Sequence, residues 1–155
     1  LRIWHEAFAW LPNPKVKINN FQSIAFQTYA RVIIETEFGT KGDFALLSDP
    51  IPSAGELAEV DEAFRKEAPA SLAITNSRLL TWYGTTPIRV NGQSAFRISY
   101  SRQMADHPPV RVDIYKFQNN DRLHTLTFSY RLNDAGVWSD LYSKVLTSFK
   151  INASK

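Results

Sequence analysis

Cysteine is absent from this 155-residue chain, and its absence excludes several kinds of chemistry. A chain without cysteine forms no disulfide, binds no metal through thiolates and has no thiol nucleophile. It also carries no acylated cysteine within this segment. The absence leaves the compartment open, because domains without disulfides occur on both sides of a membrane.

Glycine and long apolar runs are also scarce. The six glycines form neither a G-x-G-x-x-G pattern nor a P-loop, so no phosphate-cradling loop is predicted. No apolar stretch approaches the roughly 20 residues that a membrane-spanning helix needs, and we expect no span in this segment. The sequence starts at Leu1 without a signal peptide, so we expect a mature product or a trimmed fragment.

Charge of either sign is not concentrated along the chain. Eighteen Lys and Arg against fifteen Asp and Glu leave a net charge of +3, and no basic run is longer than Arg65-Lys66. Since nucleic-acid binding typically needs a basic patch, we expect no such partner. A hydrophobic fraction of 44% instead indicates a well-packed globular protein, and the absence of linkers or repeats favours one domain over residues 1–155.

The spacing of the apolar residues predicts an antiparallel sheet with one dry face. Apolar and polar residues alternate in four segments, at Ile24–Phe38, Phe96–Tyr100, Val110–Tyr115 and Leu126–Tyr130. Two further strands are predicted at Ile74–Tyr83 and Ile88–Val90, with a turn over residues 84–87 between them. Asn91-Gly92 predicts a tight hairpin turn.

Two amphipathic helices are predicted beside these strands. Ser53 stands three residues before Glu56, the spacing of a capping box, and we expect the first helix to begin there and to end before Pro69. The second helix begins at Asn133 or Asp134. Its single apolar stripe consists of Trp138, Leu141, Tyr142, Val145, Leu146 and Phe149. Burying each such side chain is worth roughly 1.5–3 kcal/mol, so this helix should lie on the sheet and the fold class should be α+β.

Candidate binding residues occupy the polar positions of the predicted strands. If the strands are neighbours, these residues gather on one surface: Tyr29, Arg31, Arg97, Arg111, Asp113 and Tyr115. Arginine beside tyrosine suits contacts with anions or protein partners. The alternative is an ordinary cross-strand ladder, partly covered by a helix, in which Arg111 and Asp113 neutralise neighbouring residues. Trp82 and Tyr83 are either an exposed aromatic edge for a partner or a half-buried pair.

Patterns that indicate catalysis or metal binding are not found. His5, His107 and His124 are not spaced as metal ligands, and no G-x-S-x-G elbow occurs. Glu35 and Glu37 share a strand face. Their spacing is compatible with a catalytic pair of carboxylates and equally with two acids on a solvated surface. We therefore predict no enzyme, no cofactor and no metal site, and a hydrolase is kept as a third hypothesis.

Two segments match a known pattern. Val90–Arg97 reads VNGQSAFR, and Leu123–Tyr130 reads LHTLTFSY and precedes a tryptophan-containing helix that closes at Ile151. Both resemble the PsbP-like superfamily, which includes Mog-type Ran-binding proteins and small bacterial secreted or lipid-anchored proteins. The resemblance runs from about Phe8 to Ile151 and implies an α/β/α sandwich of helices around an antiparallel sheet. The loop around His107 is longer than the superfamily pattern.

The resemblance, together with the missing catalytic patterns, implies a non-catalytic binding or accessory domain of a bacterial extracytoplasmic protein. Such a domain, in the periplasm or cell envelope, would contact a protein or a small ligand. The predicted contacts are Arg31, Arg97, Arg111, Tyr115, Trp82 and Tyr83, with the loops Thr85–Pro87 and Asp106–Pro109. The alternative is a cytoplasmic chaperone-like adaptor that holds an apolar segment of a client protein. An exposed apolar groove large enough for a helix would favour the adaptor.

Overall fold

A computed structural model describes residues 2–3, 29–50 and 52–151 of the protein. These residues form eight main elements: β1 (Arg2–Ile3), β2 (Ala30–Phe38), α1 (Ala54–Ala73), β3 (Ser77–Val90), β4 (Gln93–Met104), β5 (Val110–Asn119), β6 (Arg122–Arg131) and α2 (Ala135–Ser148). The strands make one antiparallel sheet in the order β1-β2-β6-β5-β4-β3. His5 and the predicted strand residues 24–28 lie outside the described residues.

The register of the strands divides the sheet into two faces, because directly paired residues point to the same side. Val32, Phe128 and Asp113 are paired across β2, β6 and β5 and lie on the side of α2, which we call the α2 face. Trp82 and Tyr100 are paired across β3 and β4 and lie on the opposite side, the α1 face. One helix on each side gives an α/β/α sandwich, and the predicted α+β class is confirmed.

The core lies between α2 and the sheet. Trp138 of α2 and the strand residues Phe117 and Leu126 are fully enclosed. Tyr142 stacks on Phe128 with their ring centroids 4.6 Å apart. At roughly 1.5–3 kcal/mol for each buried apolar side chain, this layer is a large source of stability, and the predicted apolar stripe of the second helix is confirmed.

Helix α1 begins at the predicted capping box but ends later than predicted. The Ser53 hydroxyl accepts from the Glu56 N–H, and the Glu56 carboxylate accepts from the Ser53 N–H at 2.8 Å. The helix passes through Pro69 and continues to Ala73, so the expected stop is wrong. Leu72 in the last turn is buried, and its burial offsets the backbone hydrogen bond that a proline removes.

Strand β3 is continuous where two strands and a turn were predicted. Thr86 pairs with Arg97 in the middle of the supposed turn, so that turn is wrong. The register shifts between Trp82 and Gly84, and Gly84 has a φ of +101°, which a β-bulge accommodates without reversing the chain. β3 is also the edge of the sheet, where the missing N–H of Pro87 is tolerated.

The β3–β4 hairpin turns at Asn91 and Gly92, as predicted. Their φ angles of +50° and +79° are both left-handed, as a type I′ turn requires. The Asn91 amide donates to the carbonyls of Thr147 and Phe149 at 2.8 and 2.7 Å. The turn therefore also holds the carboxyl end of α2. At the other end of β4, the predicted loop at Asp106–Pro109 lies between β4 and β5.

Candidate functional site

The α2 face carries a polar cluster beside the apolar core. Neighbouring strands β3, β4 and β5 supply it, because their alternation places every second side chain on this face. We call it the arginine–tyrosine cluster, and its members are Tyr83, Arg97, Ser99, Arg111, Asp113 and Tyr115. Four predicted contact residues thus share one surface: Tyr83, Arg97, Arg111 and Tyr115.

Asp113 lies at the centre of the arginine–tyrosine cluster. Its carboxylate accepts a hydrogen bond from the buried hydroxyl of Ser99 and further bonds from the Arg111 guanidinium, with Nη2 at 3.1 Å and Nε at 3.2 Å. The side chains of Arg111 and Asp113 are only 22% and 16% exposed. Burial alone would lower the pKa of Arg111, but the hydrogen bonds and charge of Asp113 raise it, so the guanidinium stays positive.

Tyr83 is the exposed aromatic side chain of the cluster. The Arg111 Cζ atom lies 3.9 Å from the centroid of its ring, the geometry of a cation–π contact. The residue is nevertheless 46% exposed to solvent. One side of the ring is therefore held in place while the rest of the residue is accessible.

Arg97 and Tyr115 form the other side of the cluster, where they are directly paired across β4 and β5. Burial and the charge of Asp113 raise the pKa of the Tyr115 hydroxyl, while the neighbouring Arg97 guanidinium lowers it, and the net shift is upward. Within the described residues, the Nε atom of Arg97 is buried and has no hydrogen-bond partner.

Two predicted contact residues lie on the α1 face instead. Arg31 pairs with Ser129 across β2 and β6, on the side away from the cluster. Trp82 stacks on Tyr100 with ring centroids 6.1 Å apart and donates from Nε1 to Asp61 at 3.0 Å. Trp82 is thus the half-buried member of the Trp82-Tyr83 pair and Tyr83 the exposed one.

A groove of about 410 Å³ opens between α1 and the α1 face. Asp61 positions α1 there, because its carboxylate accepts hydrogen bonds from the Trp82 indole and the backbone N–H of Thr85. The groove is lined by aromatic and aliphatic side chains together with polar ones. The apolar ones include Phe64, Leu72, Trp82, Ile98 and Tyr100, and the polar ones include Glu67, Ser71 and Lys116.

Two residues at the cluster were not predicted from the sequence, Ser99 and Tyr130. Tyr130 pairs with Arg111 across β5 and β6, and burial together with the charge of Asp113 raises its pKa. Ser99 looked like a polar spacer between apolar residues of β4. The signal that could have found it is the alternation of the strand. Ser99 stands two residues after Arg97, so its side chain points to the same face of the sheet.

The described ranges also bear on metal binding and on membrane insertion. They contain no group of three or more His, Cys, Asp or Glu side chains that could hold a metal ion. None of the helices in these ranges is long and apolar enough to cross a membrane. His124, one of the residues considered as a ligand, hydrogen-bonds through Nδ1 to the Thr36 hydroxyl at 3.0 Å.

No protein-family model and no curated protein matches this sequence. Among solved structures, cyanobacterial PsbP (CyanoP) from Synechocystis sp. PCC 6803 superposes with a TM-score of 0.52 at 16% identity, over 82% of this chain and 69% of that one. PA94, a protein of unknown function and putative regulator from Pseudomonas aeruginosa, superposes with a TM-score of 0.52 at 12% identity, over 81% and 74% of the two chains. At these identities the likeness concerns the fold alone. The chain has an α/β/α sandwich of the PsbP-like type.

Proposed function

We propose that this protein is a non-catalytic binding or accessory domain of a bacterial extracytoplasmic protein, and that its arginine–tyrosine cluster contacts a protein or a small ligand. The observation that carries the proposal is the exposed Tyr83 ring held against the Arg111 guanidinium at 3.9 Å. Tyrosine and arginine are enriched at interfaces and supply a large share of the binding energy there.

The internal hydrogen bonds of the cluster support this role. Ser99 fixes the carboxylate of Asp113, and Asp113 fixes the guanidinium of Arg111. Immobilising a flexible side chain on binding costs about 0.5–1.5 kcal/mol, and side chains that are already ordered avoid most of that cost. A partner would therefore meet a surface that is already arranged for contact.

The proposed location outside the cytoplasm is supported by resemblance. Val90–Arg97 and Leu123–Tyr130 resemble segments of the PsbP-like superfamily, and this superfamily includes small bacterial secreted or lipid-anchored proteins. Fractionation of the producing cells, followed by immunoblotting for this chain, checks the location. We expect the protein in the periplasmic or envelope fraction, and recovery in the cytosolic fraction would contradict it.

Site-specific photocrosslinking tests the binding surface in the producing cell. A photoreactive phenylalanine analogue, p-benzoylphenylalanine, replaces Tyr83, and we expect a discrete cross-linked product. The matched control carries the same analogue at Asp140, an exposed position of α2. A product that forms equally at both positions would contradict the proposal, and a product at neither position would contradict a protein partner.

The alternative function is a cytoplasmic adaptor that holds an apolar segment of a client, and the groove beside α1 is the observation that favours it. Its volume of about 410 Å³ suits a few side chains, whereas a whole helix is about 10–12 Å across. Filling the groove with Ala68→Phe separates the two functions. The adaptor would lose client binding, while the cross-link at Tyr83 would persist.

A further inference from the structure

The groove between α1 and the α1 face has one side of the helix as its wall. Phe64, Ala68 and Leu72 recur at every fourth position of α1, so their side chains lie one above another along the groove. Glu67 and Ser71 also line the groove and are exposed. The helix therefore supplies an apolar wall with a polar rim.

The sheet supplies the floor of the groove. Ile98 and Ile114 are directly paired across β4 and β5. Because these strands are antiparallel, Tyr100 lies beyond one end of the isoleucine pair and Lys116 beyond the other. At about 3.3 Å per residue, Tyr100 and Lys116 are about 13 Å apart along the strands. The floor thus has an apolar middle with a polar side chain at each end.

The aromatic part of the floor is ordered by its own contacts. Tyr100 stacks on Trp82 with the ring centroids 6.1 Å apart and the planes 9° apart. The indole nitrogen of Trp82 donates to the Asp61 carboxylate at 3.0 Å, which satisfies the one polar atom of that side chain. A ligand would therefore meet side chains that are already in place, and this lowers the cost of binding.

The Tyr100 hydroxyl is available as a hydrogen-bond donor. No group of the described residues is hydrogen-bonded to it. Burial raises the pKa of Tyr100, although the charge of Arg102 acts in the opposite direction, so the hydroxyl stays protonated at neutral pH. It can donate to an oxygen atom of a ligand in the groove.

Lys116 places a positive charge at the other end of the floor. Its ammonium nitrogen lies 5.8 Å from the centroid of the Phe64 ring, and this contact holds the charge at the groove. Lys116 is half-buried, whereas Glu67 is exposed, so the charge of Glu67 is screened more strongly by water and ions. The less screened charge favours an anionic group at this end.

The volume of the groove suits a small molecule. It measures about 410 Å³, and small-molecule sites typically measure roughly 300–1,000 Å³. We propose that the groove binds a small aromatic carboxylic acid that carries an oxygen substituent far from its carboxylate. The carboxylate pairs with Lys116, the ring packs between Phe64 and the isoleucine pair, and the distant oxygen accepts from Tyr100. This site lies on the α1 face, apart from the arginine–tyrosine cluster, and is an addition to the proposed function.

The site is tested by ¹⁵N-edited NMR spectra that follow the indole N–H signals of the tryptophans. The labelled wild-type protein is titrated with para-coumarate and separately with para-coumaramide, its uncharged amide. We expect a saturable shift of the Trp82 signal with a dissociation constant for para-coumarate below about 1 mM, and binding of the amide about tenfold weaker or more. The signal of Trp138, which is enclosed in the core on the other side of the sheet, should not respond.

Two variants check the roles of the polar ends. Lys116→Met removes the charge but keeps an unbranched side chain, so the dissociation constant of para-coumarate should rise about tenfold or more while that of the amide stays the same. Lys144→Met, at an exposed position of α2, is the matched control and should leave both unchanged. Tyr100→Phe should weaken para-coumarate to the affinity of cinnamate, which lacks the hydroxyl, and should leave cinnamate binding unchanged.

The proposal is overturned if the Trp82 signal shows no saturable shift with para-coumarate, or if the acid and its amide bind the wild type equally. An equal loss of both ligands in Lys116→Met would also overturn the pairing with the carboxylate. Loss of client binding in Ala68→Phe, without any shift by para-coumarate in the wild type, would assign the groove to the adaptor function instead.

The outcomes for this site and for the proposed function are separate. A failure of para-coumarate to bind would leave a cross-link at Tyr83 unaffected, so the arginine–tyrosine cluster would stand as the binding surface. Saturable binding of para-coumarate with equal cross-linking at Tyr83 and Asp140 would preserve this site and contradict the proposed function.

Discussion

The Tyr142 hydroxyl accepts a hydrogen bond from the backbone N–H of Arg31 at 3.0 Å, although the two residues lie on α2 and β2, far apart in the sequence. The same hydroxyl donates to the carbonyl of Ser129 on the adjoining strand β6 at 2.9 Å. Burial raises the pKa of Tyr142, so the hydroxyl remains protonated. A single side chain of α2 therefore fastens two neighbouring strands of the sheet.

Removing that hydroxyl should destabilise the fold. Tyr142→Phe keeps the stacked ring but removes the hydrogen bonds that the hydroxyl makes with the Arg31 N–H and the Ser129 carbonyl, and we expect the free energy of unfolding to fall by about 1–3 kcal/mol. Urea unfolding followed by tryptophan fluorescence measures the change. Tyr29→Phe is the control, because the Tyr29 hydroxyl makes a longer contact of 3.3 Å with the Ser129 hydroxyl. This variant should lower the free energy of unfolding by less than Tyr142→Phe does. Equal losses in the two variants would argue against the fastening role.

Replacing the proline inside α1 should stabilise the protein. Pro69 lacks the N–H for a helical hydrogen bond, and its ring crowds the preceding turn, so Pro69→Ala should raise the free energy of unfolding by up to about 3 kcal/mol. Pro87→Ala is the control, since an edge strand tolerates the missing N–H, and its effect should be small. Chemical denaturation of both variants checks this, and a Pro69→Ala variant no more stable than wild type would show the prediction to be incorrect.

The two roles of Asn91 can be separated by substitution. Asn91→Gly keeps the left-handed turn but loses the amide that binds the end of α2, and we expect a cost of about 1 kcal/mol. Asn91→Ala loses the amide and also strains the turn, which adds about 1–2 kcal/mol. Hydrogen exchange should speed up at the last turn of α2 in both variants. Unchanged exchange there would mean that the amide does not hold the helix end.

The stability of the protein should depend on pH through His124. Burial and the charge of Arg122 lower the pKa of His124 below its ordinary value of 6.5. A base with a lower pKa in the folded state is protonated more readily when unfolded, so the free energy of unfolding decreases as the pH falls through about 6.5 toward the folded pKa.

The variant His124→Gln removes the contribution of this histidine to the pH dependence of the free energy of unfolding. Between pH 7.5 and 5.5 the free energy of unfolding should fall further for the wild type than for the variant, as measured by urea titrations at each pH. His107→Gln, at an exposed position of the β4–β5 loop, should behave as the wild type does. A wild-type pH dependence that survives in His124→Gln would assign the effect to other groups.

Local signals in the sequence predicted much of the fold. The alternation in β5 and β6 and the stripe from Trp138 to Phe149 set the apolar faces directly, because burial of those faces is the main stabilising term. Asn91-Gly92 and the Ser53 capping box were also predictable, since both depend on neighbouring residues alone.

The failures occur where a distant contact overrides a local signal. Pro69 ordinarily ends a helix, but the burial of Leu72 carries α1 past it. Gly84 to Pro87 reads as a turn, yet the register with β4 keeps it in the strand. Arg31 could not be placed from alternation within its own strand, because the register between β2 and β6 decides which face it shares.

The affinity of the partner cross-linked at Tyr83 tests the central claim most directly. Tyr83→Ala removes the exposed ring, and we predict that the partner's dissociation constant rises roughly tenfold or more, while the control Arg78→Ala binds as tightly as the wild type. Circular dichroism should show all three proteins folded. Equal affinities for Tyr83→Ala and the wild type would contradict the assignment of the arginine–tyrosine cluster as the binding surface.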